Sequence, residues 1–298
     1  MYSDTHFHFH HLVDERGLNG PDILQKLVER NTFFGMDIGT RCDDLIFRYN
    51  QLEENIAQLP VELQQAAKNL IFYSAGIWPD VDEIKNRVEA MKILESKIQE
   101  YEKIQSEKNS PSHLVAIGEC GLDHHWNTSG ADGRCESDFD KSIFEGEREL
   151  FQMQLELAQK LNLPVVIHSR DAFEDSLDCM KNVGYHNGII HCYSYGIEEA
   201  RAFLDLGWYI AFGGATTYTK KSKMEQMVQL LQYVPEDRIL METDAPYLTP
   251  VPFRGQTNTP VLVEHCYNFV AAARNVSPRD LSETVDKNIR DLFKLKLN

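Results

Sequence analysis

Residues 161–172, LNLPVVIHSRDA, decide the fold. Pro164 to Ile167 form an apolar run too short for a helix and suited to a buried strand, and it stops at the imidazole of His168. The same figure recurs along the chain: LVAIGE (114–119) ends in Glu119, GIIH (188–191) in His191 and RILMETD (238–244) in Asp244. With Met1–Thr5, Phe33–Ile38, Leu70–Gly76 and Trp208–Phe212, the strand candidates Leu114–Gly118, Pro164–Ile167, Gly188–Ile190 and Arg238–Thr243 total eight. Longer amphipathic patterns lie between them at Asp80–Lys108, Glu145–Leu161, Ile197–Leu206 and Lys223–Tyr233, with a helical tail from Pro260. Strands alternating with helices predict an α/β protein, a single (β/α)8 barrel spanning 1–298 as one domain.

Composition narrows the function. Against 30 Lys+Arg stand 46 Asp+Glu, a formal charge of −16, so broad polyanion binding is excluded and any nucleic-acid contact has to be local. Six cysteines without a C-x-x-C pair argue for buried reduced thiols rather than a zinc knuckle or redox motif. The N-terminus has acidic residues and histidines where a signal peptide has a basic and then an apolar run, and no apolar stretch is membrane-long; a cytoplasmic protein without membrane contact is expected. The charged segment 80–109 reads as a solvated outer helix, and the polar segment Asn127–Ser142 as a long loop after the fourth strand, a candidate lid.

In such a barrel the C-terminal strand ends converge on one mouth, so the polar residues that close the strands become a set. His6 and His8 in DTHFHFHH lie on one face of an extended chain, although His10 shares that face and leaves the register open. With Glu119, His168, His191 and Asp244 they offer imidazoles and carboxylates in excess of one tetrahedral zinc site. A carboxylate can bridge two ions, so a two-metal centre and hydrolysis follow, with zinc or manganese as the divalent cations suited to these mixed donors.

DTHFH at 4–8, GECGLD at 118–123, LNLPVVIHSRDA at 161–172, IIHCYS at 189–194 and METDAPYLTPVPFRG at 241–255 resemble the signature blocks of TatD-like metal-dependent deoxyribonucleases. The resemblance implies a (β/α)8 barrel with two cations, one on His6, His8, Glu119 and Asp244, the other on Glu119, His168 and His191, and it admits magnesium beside zinc and manganese. It settles the register through D-x-H-x-H, with Asp4 preceding His6 and His8, and implies Asp244 as acceptor of the attacking water's proton. Glu242 is a candidate for proton transfer or for supporting the ligands. The implied substrate is DNA, as single strands or ends.

Arg170 and Arg254 are candidate phosphate contacts, because a guanidinium matches phosphate oxygens; the rival role is to neutralise acidic ligands. Asn258 and Pro260 are expected to fix the loop after the last strand. Trp78, in GIWPD, stands where many family members carry a histidine, and it can stack on a base but cannot ligate metal. Trp126 is a second candidate stacking surface. Trp78 and the acidity motivate an alternative, hydrolysis of a small amide or ester or of an aminoacyl-tRNA ester. A metal-binding barrel without turnover is disfavoured by the full ligand set. The sequence sets no oligomeric state.

Overall fold

A computed structural model describes residues 2–125 and 134–295. Eight parallel strands follow one another in the sheet in chain order: β1 Asp4–Phe7, β2 Gly35–Asp37, β3 Ile71–Ala75, β4 Leu114–Asp123, β5 Val165–Arg170, β6 Gly188–Ile190, β7 Tyr209–Phe212 and β8 Ile239–Met241. An α-helix separates consecutive strands at every step: α1 Gly20–Glu29 before β2, α2 Leu45–Ala57 and α3 Val61–Leu70 before β3, and α4 Val81–Lys85 and α5 Arg87–Glu107 before β4. Then come α6 Lys141–Leu161, α7 Phe173–Val183, α8 Ile197–Asp205 and α9 Met224–Tyr233, one before each of β5 to β8, the strand order and alternation of a (β/α)8 barrel. Every residue of β4 is buried, as expected of a strand covered on both faces.

Several boundaries shift, and the shifts move the polar residues. β1 covers His6, which therefore lies in the strand and not after it. β4 runs on to Asp123 and β5 to Arg170, so Glu119 and His168 sit within their strands. Glycine allows the extension: Gly121 pairs with His168 at φ +142°, and a Cβ there would stand 1.9 Å from the His168 carbonyl oxygen. β8 ends at Met241, so Glu242 and Asp244 leave on a loop, and Asp244 takes a left-handed φ of +57°.

The segment expected as one helix over 80–108 is two, α4 (Val81–Lys85) and α5 (Arg87–Glu107). Asp80 caps the first by accepting hydrogen bonds from Asp82 N and Glu83 N. α5 buries Ala90, Met91, Leu94, Ile98 and Tyr101, an i, i+4 stripe that makes it a packed helix and not a merely solvated one. The next helix, α6 (Lys141–Leu161), starts earlier than its apolar pattern, because Asp140 accepts from Ser142 N and Ile143 N. Of the segment 127–142, a short 3-10 turn at Glu136–Phe139 precedes α6; Trp126 and residues 127–133 lie outside the described residues.

Contacts divide the chain into two compact units. The first comprises Met1–Ile38, Phe47–Tyr73 and His191–Asn298. In it β1 pairs with β2, β2 with β3 and β7 with β8, while Phe7 bridges Ala245 in parallel and so ties β1 to the chain leaving β8. At the end of β2, Asp37 accepts from Arg48 at 2.6 Å, and both side chains are fully buried. The second unit, Gly39–Ile46 and Ser74–Ile190, holds the ladder of β4, β5 and β6.

Candidate metal centre

In the first unit the site begins with Asp4. Its carboxylate accepts from His6 N (3.1 Å), Thr243 N (3.0 Å) and Thr243 Oγ1 (2.6 Å), which joins β1 to the segment after β8. Burial pushes the Asp4 carboxyl up to about 8 against the pull of these donors. Asp244 N donates to His6 O and His8 N to Ala245 O, both at 2.8 Å. The zipper brings His6 Nε2 and His8 Nε2 to 3.7 and 3.5 Å from Asp244 Oδ1. Burial raises the Asp244 carboxyl, but the imidazoles of His8, His6 and His191 outweigh it and hold it below its ordinary value.

His191, just past β6, stacks its ring on His6 with centroids 4.0 Å apart, and its Nδ1 lies 3.6 Å from Glu242 Oε1. Glu242 is fully buried; Oε1 accepts from Cys192 N at 2.6 Å, and among the described residues Oε2 has no hydrogen-bond partner. One donor atom from each of His6, His191 and Glu242 lies within 4.8 Å of the others, and all three residues are buried. A buried carboxylate oxygen left unmatched is costly unless a cation completes it, and two imidazoles and a carboxylate are suitable ligands, so this donor set fits a divalent ion.

In the second unit the centre is His168. Its Nδ1 lies 3.0 Å from Glu119 Oε1 and its Nε2 2.8 Å from Asp123 Oδ2. Burial works to lower the imidazole's pKa, yet the hydrogen bonds to Asp123 and Glu119 raise it to about 9. Asp123 also accepts from Arg134 Nη2 (3.0 Å) and from His125 N (3.0 Å), and its own N–H donates to Glu147 (2.8 Å). Burial opposes ionisation, but His168 and Arg134 hold Asp123 far below the usual carboxylate range. The sequence reading gave Asp123 no role, although Glu119 and Asp123 stand an even number of positions apart on one strand, the spacing that puts them on a common face.

The remaining candidates divide. Trp78 is half-buried and packs edge to face against His168, ring centroids 5.8 Å apart, with the Arg134 guanidinium 5.5 Å above the indole. Arg170 is partly exposed, with Nη1 3.9 Å from Asp123 Oδ2, in the charge-neutralising position. Arg254 is exposed, lies 3.8 Å over the Tyr218 ring and donates to Thr249 O at 3.0 Å. Asn258 Nδ2 donates to the carbonyls of Thr243 and Tyr247 and so clamps the loop that carries Asp244. His11 turns to Tyr247 and Glu15.

Parallel β/α topology with a buried donor set of His6, His191 and Glu242 is what a metal-dependent hydrolase of the barrel class requires. The chain belongs to the TatD family: the model described as TatD related DNase matches residues 3–294. It is 35% identical over 191 residues to the uncharacterized metal-dependent hydrolase YabD of Bacillus subtilis, covering 63% of this chain and 69% of that protein. It is 33% identical over 189 residues to the 3'-5' ssDNA/RNA exonuclease TatD of a Rahnella species, covering 61% and 66%. The matched stretch thus spans about two thirds of these relatives' lengths. The fold is that of YJJV, a TatD homologue from Escherichia coli K12, at TM-score 0.74 and 23% identity over 99% of this chain and 98% of that one. No helix among the described residues is long and apolar enough to cross a membrane.

Proposed function

We propose that residues 1–298 act as one domain that cleaves phosphodiester bonds of DNA, as an exonuclease on single strands or ends. Two divalent cations, zinc, manganese or magnesium, are held by His6, His8, Glu119 and Asp244, and by Glu119, His168 and His191. When bound, such ions polarise the scissile phosphoryl group and acidify water, which removes the need for a serine or cysteine nucleophile. Asp244, held ionised among imidazoles, takes the proton of the attacking water. Glu242 holds the backbone at Cys192 through Oε1, the oxygen that also lies 3.6 Å from His191 Nδ1.

The observation that carries this reading is the buried group of His6, His191 and Glu242, one donor atom of each within 4.8 Å of the others, a donor set that suits a cation. The nuclease assignment draws on the Rahnella relative. The buried, unpaired thiols of Cys42, Cys120, Cys179 and Cys266 support a cytoplasmic enzyme.

The test is degradation of end-labelled single-stranded DNA by metal-stripped protein resupplied with magnesium, manganese or zinc, with His168→Ala alongside. Metal-dependent shortening that is absent from the variant is expected. No cleavage by protein that binds two ions overturns the reading in favour of the small-ester or aminoacyl-tRNA alternative, in which Trp78 beside His168 stacks on a ring of the substrate.

A further inference from the structure

The acidic excess of this protein consumes many of its lysines. Lys26 pairs with Asp22, Lys97 with Glu100 and Lys287 with Asp291 at 2.6–2.8 Å. TKKSK at 219–223 departs from that pattern. These residues lie on the loop between β7 and helix α9 (Met224–Tyr233), where Lys220, Lys221 and Lys223 are exposed. Among the described residues none of the three side chains makes an ion pair or hydrogen bond.

The lack of acidic neighbours extends to both loops. No Asp or Glu occurs from Leu206 through Met224, nor from Ala245 through Val263, in a chain of net charge −16. The two stretches carry four cations, Lys220, Lys221, Lys223 and Arg254, and no anion. They are braced on each other: Val251 N donates to Thr217 Oγ1 at 2.9 Å, a Cβ on Gly214 would strike Leu248 O at 1.8 Å, and Arg254 lies over Tyr218. They also start at the candidate metal centre. A Cβ on Gly213 would touch Glu242 at 3.3 Å, and Asp244 opens the second loop.

We infer that the loops after β7 and β8 form a phosphate-binding strip, in which Lys220, Lys221, Lys223 and Arg254 hold backbone phosphates of a single strand running outward from Glu242 and Asp244. The inference rests on the nuclease reading and names how its substrate is gripped. Loops after the seventh and eighth strands are a recurrent place for phosphate in this architecture. Exposed ammonium groups held apart from carboxylates attract a polyanion at long range, and the attraction falls with salt as counterions are released. An otherwise acidic surface then confines the strand to this one track.

The test compares wild type with the Lys220→Gln/Lys221→Gln/Lys223→Gln protein, using Lys26→Gln/Lys97→Gln/Lys287→Gln as the control. Binding of a fluorescent single-stranded oligonucleotide is measured by anisotropy in chelator, and KM for its degradation in metal, each across a salt series. The loop variant is expected to bind on the order of tenfold more weakly at moderate salt, with a log–log salt slope shallower by about 2, roughly 0.7 per lost phosphate contact. The control is expected to match wild type. If wild type shortens the oligonucleotide and the loop variant keeps its affinity, KM and slope, the strip is overturned and the nuclease reading stands. If wild type with metal bound neither binds nor shortens any oligonucleotide, both fall.

Discussion

His168 Nε2 lies 2.8 Å from Asp123 Oδ2, and the same carboxylate group is held from its other side by Arg134. A ring nitrogen bonded to a fixed carboxylate sets both the tautomer and the aim of the opposite nitrogen, which here faces Glu119 at 3.0 Å. Replacing Asp123 by Ala should weaken divalent-ion binding by roughly 10–100-fold, while Asp123→Asn, which keeps a hydrogen-bond acceptor, recovers part of it. Competition against a chromophoric chelator reads this directly, and equal affinities for wild type and Asp123→Ala would remove the role.

Metal should also stabilise the fold. An ion that binds only the folded protein contributes about 2.7 kcal/mol at a hundredfold excess over its Kd. Chelation is expected to lower Tm, and added zinc or manganese to restore it. In Glu242→Gln and His6→Ala the metal-induced rise in Tm should shrink, because each removes a member of the buried cluster. A full rise in both variants would place the ion elsewhere.

The buried pair of Arg48 and Asp37 makes a separate stability test. Asp37 accepts from Arg48 Nη1 and from Phe9 N, at 2.6 and 2.8 Å, with neither charged side chain open to water. Arg48→Met leaves a buried carboxylate uncompensated and should cost about 3–5 kcal/mol in urea unfolding. A loss below about 1 kcal/mol would mean that water reaches Asp37 on mutation.

Asp286, which is not among the proposed ligands, supplies a pH signature. Burial pushes its carboxyl up to about 6 from 3.8, although Ser3 Oγ donates to it at 2.6 Å. The folded state therefore holds this proton more tightly than the unfolded chain. The stabilisation is full below about pH 4 and is lost as pH rises through about 6, an effect of up to about 3 kcal/mol. Asp286→Asn should remove that fall, so the stability difference between variant and wild type should grow from pH 4 to 7. Parallel pH profiles of the two proteins would show that the carboxyl titrates normally.

Gly121→Ala is expected to damage the centre from the backbone. The added methyl meets the His168 carbonyl oxygen, and φ of +142° is closed to alanine. Lower Tm and weaker metal binding should appear together in the same variant. Wild-type values of both would mean that β4 can move away from β5 at no cost.

Strand number was legible because each strand is a short local run of apolar and β-branched residues, four of them followed by a polar group. His168, His191 and Glu119 stood out for the same reason. Boundaries were less legible where glycine decided them: nothing in the apolar run LVAI says that GECGLD continues as strand, since the continuation depends on close approach to β5. The amphipathic pattern over 80–108 was legible, but the break at Asn86 that makes it two helices carries no Gly or Pro to mark it.

The sequence by itself determined the strand–helix alternation, the kinds of donor atom available and the acidity of the chain, all properties of residues and their spacing. Tertiary structure decided which donors share a cluster. It gave Asp123 to His168, left one oxygen of Glu242 buried without a hydrogen-bond partner among the described residues, set Arg170 beside Asp123, and laid Arg254 on Tyr218. These outcomes depend on contacts between segments far apart in the chain and on how completely water is excluded from them. Burial fixes what an unmatched oxygen or an isolated charge costs, and only the packed chain specifies burial.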